Sequence, residues 1–123
     1  MEFRRAILDG SLLDLQGTVV VIDVLRAFTT AAYAFWAGAA DITLVATVAE
    51  ALALRKAKPE MLIMGEVDGL PVEGFDFSNS PTEIAGQDLA GRHLVQRTSS
   101  GTQGVVLSRN ARIGPGSIIL QPG

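Results

Sequence analysis

With 123 residues, nearly half of them apolar, the chain is long enough for one domain with its own core. Such a domain buries roughly two-thirds of the surface its unfolded form exposes. A formal charge of −3 without Lys/Arg clusters excludes the basic footprint of a nucleic-acid binder, and the absence of cysteine excludes disulfides, thiolate catalysis and Cys-ligated metals.

At the N-terminus, MEFRRAILDG has no apolar stretch behind its charges and does not read as a signal peptide. FRRAIL (3–8) is expected as a first strand. TVVVID, Thr18 to Asp23, is a continuous β-branched run, the pattern of a strand buried on both faces. LRAFTTAAYAFWAG then reads as a helix closed by Gly38. Its apolar run, Ala31 to Ala40, is too short to cross a bilayer, so a soluble cytoplasmic protein without membrane contact is expected. Phe35 and Trp36 are expected in the core or an interface.

DITLVA, Asp41 to Ala46, is a second buried strand. Thr47 and Glu50 form a T-x-x-E capping box that opens a helix through AEALALRKAK, stopped by Pro59. Glu50, Arg55, Lys56 and Lys58 give that helix a solvated face. MLIMGE, Met61 to Glu66, is a third strand. In GFDFSNSPTE, Ser80 and Glu83 suggest another capping box, with Pro81 at the first helical position. HLVQRT, His93 to Thr98, is a strand, followed by SSGT and a helix from Gln103. The tail after 107 carries one more strand, Ser117 to Leu120. This alternation implies a single α/β domain over 1–123, a three-layer α/β/α arrangement with a largely parallel or mixed sheet of about five strands.

Ligands of open parallel sheets bind outside the carboxyl ends of the strands. Asp23, Glu66 and the run Thr98, Ser99, Ser100 all fall at such ends, beside the GFDFSNS loop. Asp23 is equally suited to capping the next helix. Gly101 and Thr102 open a helix whose N-terminus suits an anion, with an ordinary Ser/Thr cap as the alternative. No G-K-[ST] occurs, which argues against a nucleotide-binding P-loop. Arg26 opposes the dipole of the helix it opens, so an Asp23 ion pair or a bound phosphate is expected to offset it. Arg97 is a second candidate cation or a solvent-facing strand residue, and His93 reads as structural.

Three blocks, VVVIDVLRAFTT, GEVDGLPVEGFDFSNSP and TSSGT, resemble in order and spacing those of the 2-phosphosulfolactate phosphatase (ComB-like) family. The family forms are approximately VIDVLRATTT, GERGGxxxxGFDxGNSP and TTNGT, and the similarity covers residues 18 to 107. The resemblance implies a Mg²⁺-dependent phosphatase acting on a small phosphorylated 2-hydroxy acid such as 2-phosphosulfolactate, on the route to coenzyme M. Asp23 and Arg26 match the first block, Glu66, Asp76, Asn79 and Ser80 the second, and Thr98 to Thr102 the third. Phe28 stands where the family commonly has Thr, Val67 and Asp68 replace Arg-Gly, and Ser100 replaces Asn. Family members are about twice as long, with a Glu-Asp motif in their second half.

Cysteinyl-phosphate, phosphohistidine-pair and D-x-D aspartyl-phosphate routes are excluded by the residues present. Hard-metal chemistry remains, with carboxylates holding Mg²⁺ and donors around the phosphoryl oxygens. Beside the resemblance, the expected assignment gives Asp23, Glu66 and Asp76 to Mg²⁺ or the attacking water. Arg26 and the Ser99–Thr102 backbone would bind phosphate, while Asn79 and Ser80 orient substrate. The rival expectation is a non-catalytic anion-binding or assembly module. Acyl transfer by Ser99 or Ser100 is disfavoured, since no base or G-x-S-x-G elbow accompanies them. The AAYAFW face and the short length favour a homo-oligomer.

Overall fold

The computed structural model describes residues 8, 17, 19–23 and 25–108. In chain order these form α1 (Ala27–Trp36), β1 (Asp41–Leu44), α2 (Val48–Ala57), β2 (Leu62–Gly65), α3 (Pro81–Ile84), β3 (His93–Arg97) and α4 (Gly101–Leu107). The three strands make one parallel sheet in the order β1-β3-β2. Asp41 lies opposite His93, and Leu62 opposite Leu94. All three strands therefore end together, at Leu44, Gly65 and Arg97.

Alternation along the strands divides the core between two faces. Met64 and Leu94 pack with Ala31 and Ala34 of α1 and Ile84 of α3. Ile63 and Val95, their neighbours in sequence, pack with Val45 and with Ala51 of α2. Ile63, Met64, Leu94 and Val95 are all fully buried, each stabilising the fold by about 1.5–3 kcal/mol relative to exposure. Small residues on α1 let it lie close to the sheet. Gln96, buried in central β3, ties α1 down by donating through Nε2 to the Ala27 carbonyl at 2.8 Å.

The capping box of α2 forms as read from sequence, with Glu50 N–H donating to Thr47 Oγ1 at 3.1 Å. Gly38 follows α1 with φ of 103°, and its N–H bonds the Phe35 carbonyl. Other expectations are corrected. Among the described residues the sheet has three strands; two of the roughly five expected fall outside them. Residues 19–23 carry no strand pairing there; Val21 and Asp23 lie against α4, and Val20 and Ile22 are exposed. Residues 117–120, and the 3–8 segment apart from Leu8, lie outside the described residues. Helix α4 begins at Gly101, two residues before Gln103. Of the two places expected for Trp36 and Phe35, the core is excluded, since they are 81% and 46% exposed on the outer side of α1.

The GFDFSNSPTE stretch turns out to be a fourth line of backbone beside β2. Phe77 bridges Met64 in parallel fashion, Asp76 N–H donates to the Ile63 carbonyl, and Gly65 N–H donates to the Phe77 carbonyl. Ser80 makes no side-chain cap; its hydroxyl lies 2.9 Å from that of Thr82. Glu83 instead accepts from the N–H and hydroxyl of Ser78. The loop's aromatics and hydroxyls thus hold its own shape and cover the sheet edge.

Where β2 ends, Gly65 has φ of 145°, and a Cβ built on it would lie 1.8 Å from the Arg97 carbonyl oxygen. Only glycine allows β2 and β3 to approach this closely while the chain turns Glu66 inward. Gly65→Ala is expected to lower stability by about 3 kcal/mol or more, read as a reduced urea midpoint. Gly86→Ala, where an added Cβ meets nothing within 4 Å, is the control and should shift the midpoint little.

Candidate functional site

The common carboxyl end of the strands gathers Asp23, Glu66, Arg97, Ser99 and the start of α4. Glu66 is only 8% exposed. Its Oε1 accepts from Ser99 N–H at 2.6 Å, and its Oε2 accepts from Gly69 N–H at 2.6 Å and Ser99 Oγ at 3.2 Å. Burial by itself would raise the Glu66 pKa. These bonds, with the nearby Arg97 charge, outweigh it and hold the carboxyl below its ordinary 4.5.

Arg97 does not project into solvent as a strand arginine commonly does. Its Nε donates to the Ala46 carbonyl at 3.1 Å, and its NH1 to the Glu66 carbonyl at 2.8 Å and Ser99 Oγ at 3.2 Å. One planar cation thereby ties together the chain leaving all three strands. Gln103 reinforces the same junction through the carbonyls of Ala46 and Thr98. Ser99 Oγ also accepts from Asp68 N–H at 2.8 Å. Asp68 sits at φ of 52°, a left-handed conformation that Asp reaches more easily than most residues, at a position where the related motif has Gly.

Asp23 lies across from this cluster, between two helix N-termini. The backbone N–H groups of Ala27 at α1, of Gly101 at α4 and of Leu25 just before α1 favour its charged form. A Cβ on Gly101 would stand 2.6 Å from Asp23 Oδ2, so only the bare backbone fits there. Burial raises the Asp23 pKa, the neighbouring Glu66 charge raises it further, and the three N–H groups do not offset both. Its Oδ1 is buried without a hydrogen-bond partner. Asp23 thus feels the charge of Glu66 and keeps one buried oxygen without a partner, an environment that a cation would relieve.

The remaining expected residues divide. Thr98 and Thr102 are buried and bond each other reciprocally: Thr98 N–H donates to Thr102 Oγ1 at 2.8 Å, and Thr102 N–H to Thr98 Oγ1 at 3.1 Å. Of the Ser99–Thr102 N–H groups, those of Ser99 and Thr102 go to Glu66 and Thr98, and that of Gly101 favours the charged form of Asp23. The anion held at the start of α4 is therefore Asp23 itself. Arg26 is exposed, and among the described residues no ion pair joins it to Asp23. Asp76 is not brought to the pair: its carboxylate accepts from Ile63 N–H at 2.7 Å and pairs with Arg55 of α2. Asn79 is buried with Oδ1 unpartnered, and Ser80 bonds Thr82. His93 pairs with Asp41 at 2.8 Å, at the opposite end of the strands. The sequence reading missed Gln96 and undervalued Arg97, although a Gln-Arg pair inside an otherwise apolar strand is a visible signal.

Comparison with known proteins agrees with the three motif blocks. A family model described as 2-phosphosulpholactate phosphatase matches residues 8–119. A probable 2-phosphosulfolactate phosphatase of Bacillus subtilis is 44% identical over 93 residues, covering 76% of this chain and 41% of the relative. Proteins of the same description from Deinococcus radiodurans and Thermus thermophilus are 48% and 36% identical, over 68% and 84% of this chain. The alignments cover 35% and 43% of those two relatives. The chain thus spans about two-fifths of the length of the curated relatives it matches.

The opposed shifts of the two carboxyls give a pH signature. Glu66, lowered, contributes stability that is present above its ordinary value of 4.5 and lost as pH falls through its lower folded value. Asp23, raised, contributes stability present below 3.8 and lost as pH rises through its folded value. Asp23→Asn is therefore expected to raise Tm by a few degrees at pH 7 without added metal, with the gain vanishing below pH 3.8. Glu66→Gln should lower Tm at pH 7. Thermal unfolding monitored by circular dichroism across pH checks both.

Proposed function

The chain belongs to the 2-phosphosulfolactate phosphatase family, and on that premise we propose that it carries the cation- and phosphate-facing rim of a Mg²⁺-dependent phosphatase. The substrate class is a small phosphorylated 2-hydroxy acid, with 2-phosphosulfolactate suggested by the names of the relatives. The observation that carries the reading is the Asp23–Glu66 pair, with Asp23 Oδ1 buried and unpartnered beside a second carboxylate.

Among the described residues, no three acidic or histidine groups come together in metal-binding range. A two-carboxylate site still fits Mg²⁺, which keeps several waters and is commonly held by one or two carboxylates plus substrate phosphate. Asp23 and Glu66 would hold it. When bound, the ion would neutralise phosphoryl charge and lower the pKa of an attacking water. Asp76 has no part in this reading and serves as a clamp between the loop and α2.

The protein's own residues would act by positioning. Among the described residues, the Ser100 N–H and the exposed Arg26 guanidinium would be donors for phosphoryl oxygens. Arg97 fixes Ser99 and the chain after Glu66, so that both carboxylates are presented in a set geometry. Asn79, buried next to the β2 edge, is a candidate for substrate orientation through Oδ1. In the hydrolysis the P–O ester bond breaks as water oxygen bonds to phosphorus. The departing alkoxide takes a proton from solvent, and the proton lost by water passes to solvent.

The test is phosphate release from phosphorylated 2-hydroxy acids by the purified chain, with and without Mg²⁺. Turnover is expected with Mg²⁺, abolished by EDTA and reduced at least ~10³-fold by Asp23→Asn. Mg²⁺ should also raise the Tm of the native chain and leave that of Asp23→Asn unchanged. Stabilisation by inorganic phosphate without turnover would instead favour the anion-binding module. Turnover indifferent to Asp23→Asn would overturn the site.

A further inference from the structure

Residues 19–23 run past α4 with alternating exposure. Val21 faces inward, its Cγ1 2.9 Å from where a Cβ on Gly104 would stand, and Asp23 faces Gly101. Val20 and Ile22 face outward and are 58% and 77% exposed, and Leu25 follows at 80%. Large aliphatic side chains grouped this densely on one short segment are unfavourable to leave in water. The β-branched composition also suits a segment covered on both sides. Here one side is covered, by α4.

The comparisons supply the second observation. The chain spans 41% of the Bacillus subtilis relative, so more than half of that protein has no counterpart in the alignment. We propose that the Val20–Ile22–Leu25 face is a docking surface for a polypeptide of the kind forming the unmatched portion of these relatives. Its partner presents an apolar surface against this face, directly beside Asp23. The occupant differs in chemistry from the phosphate ligand, and the inference does not rest on the phosphatase reading.

Alternative positions carry less. Trp36 is exposed at the end of α1, but it already packs edge-on against Tyr33, with ring centroids 5.8 Å apart. Leu70 stands alone on its loop. Neither adjoins a segment whose composition calls for cover on a second side.

The experiment co-expresses the tagged 123-residue chain with the unmatched portion of the Bacillus subtilis relative as a separate polypeptide. Size-exclusion chromatography with light scattering and titration calorimetry read the outcome. A one-to-one complex is expected, weakened at least tenfold by Ile22→Asp and by Val20→Lys, and unchanged by Leu70→Asp. Circular dichroism confirms that the variants stay folded. The proposal is overturned if no complex forms, or if its affinity ignores both substitutions. It is equally overturned if the chain alone forms a homodimer that Ile22→Asp dissociates, which would make a second copy the occupant.

Discussion

The rim depends on how a single carboxylate, Asp23, is held. It receives N–H groups from the start of α1 and the start of α4, so two helices converge on one negative charge. That convergence needs Gly101, because any side chain there would occupy the space of Asp23 Oδ2 and Ala27 Cβ. Glu66 then brings a second negative charge to the same place, supported by Gly65, whose backbone lies against Arg97. Both sides of the rim are thus built on a glycine at a point of close backbone approach. The electrostatic result is asymmetric. Glu66 is compensated by its donors, whereas Asp23 remains under-compensated and keeps a buried oxygen without a partner.

Much of the fold was legible because local signals agreed. The strands Asp41–Leu44, Leu62–Gly65 and His93–Arg97 lie inside the apolar runs that announced them. The Thr47–Glu50 capping box formed because both side chains reach the two free N–H groups of one turn. Ser80–Glu83 has the same spacing and failed to form one. There a competing donor, Ser78, took the Glu83 carboxylate, and Thr82 took the Ser80 hydroxyl. Spacing specifies which groups can meet, and neighbouring donors decide which do. Residues 19–23 of the TVVVID run carry no strand pairing among the described residues. β-branched composition reports a wish for burial on two faces, while pairing is settled by what the rest of the structure places alongside.

The site was half legible. The ends of β2 and β3 bring Glu66 and Ser99 together, because parallel strands in register finish together, whereas Asp23 reaches them through its contact with Gly101 and not from the end of a paired strand. Asp76 looked equivalent in the motif, yet its carboxylate is spent on Arg55 and Ile63, since its loop runs back along β2. The Ser99–Thr102 amides were read as an anion cradle. Most of them already serve the protein's own acceptors, so the physics of the helix N-terminus was right and the anion was an internal one. Arg97 was hidden by the habit of pointing strand arginines outward. Its guanidinium has five donors in a planar fork, which suits a junction of several carbonyls better than open water.

The central claim is that Asp23 and Glu66 form one site for a hard divalent cation. Mn²⁺, a paramagnetic stand-in for Mg²⁺, tests this most directly when titrated at substoichiometric levels into the ¹⁵N-labelled chain. The account predicts selective broadening of the amide signals of Ala27, Gly69, Ser99 and Gly101, removed by excess Mg²⁺. Broadening centred on Asp41 or Asp76 with those four amides unaffected, or no selective broadening at all, would contradict it.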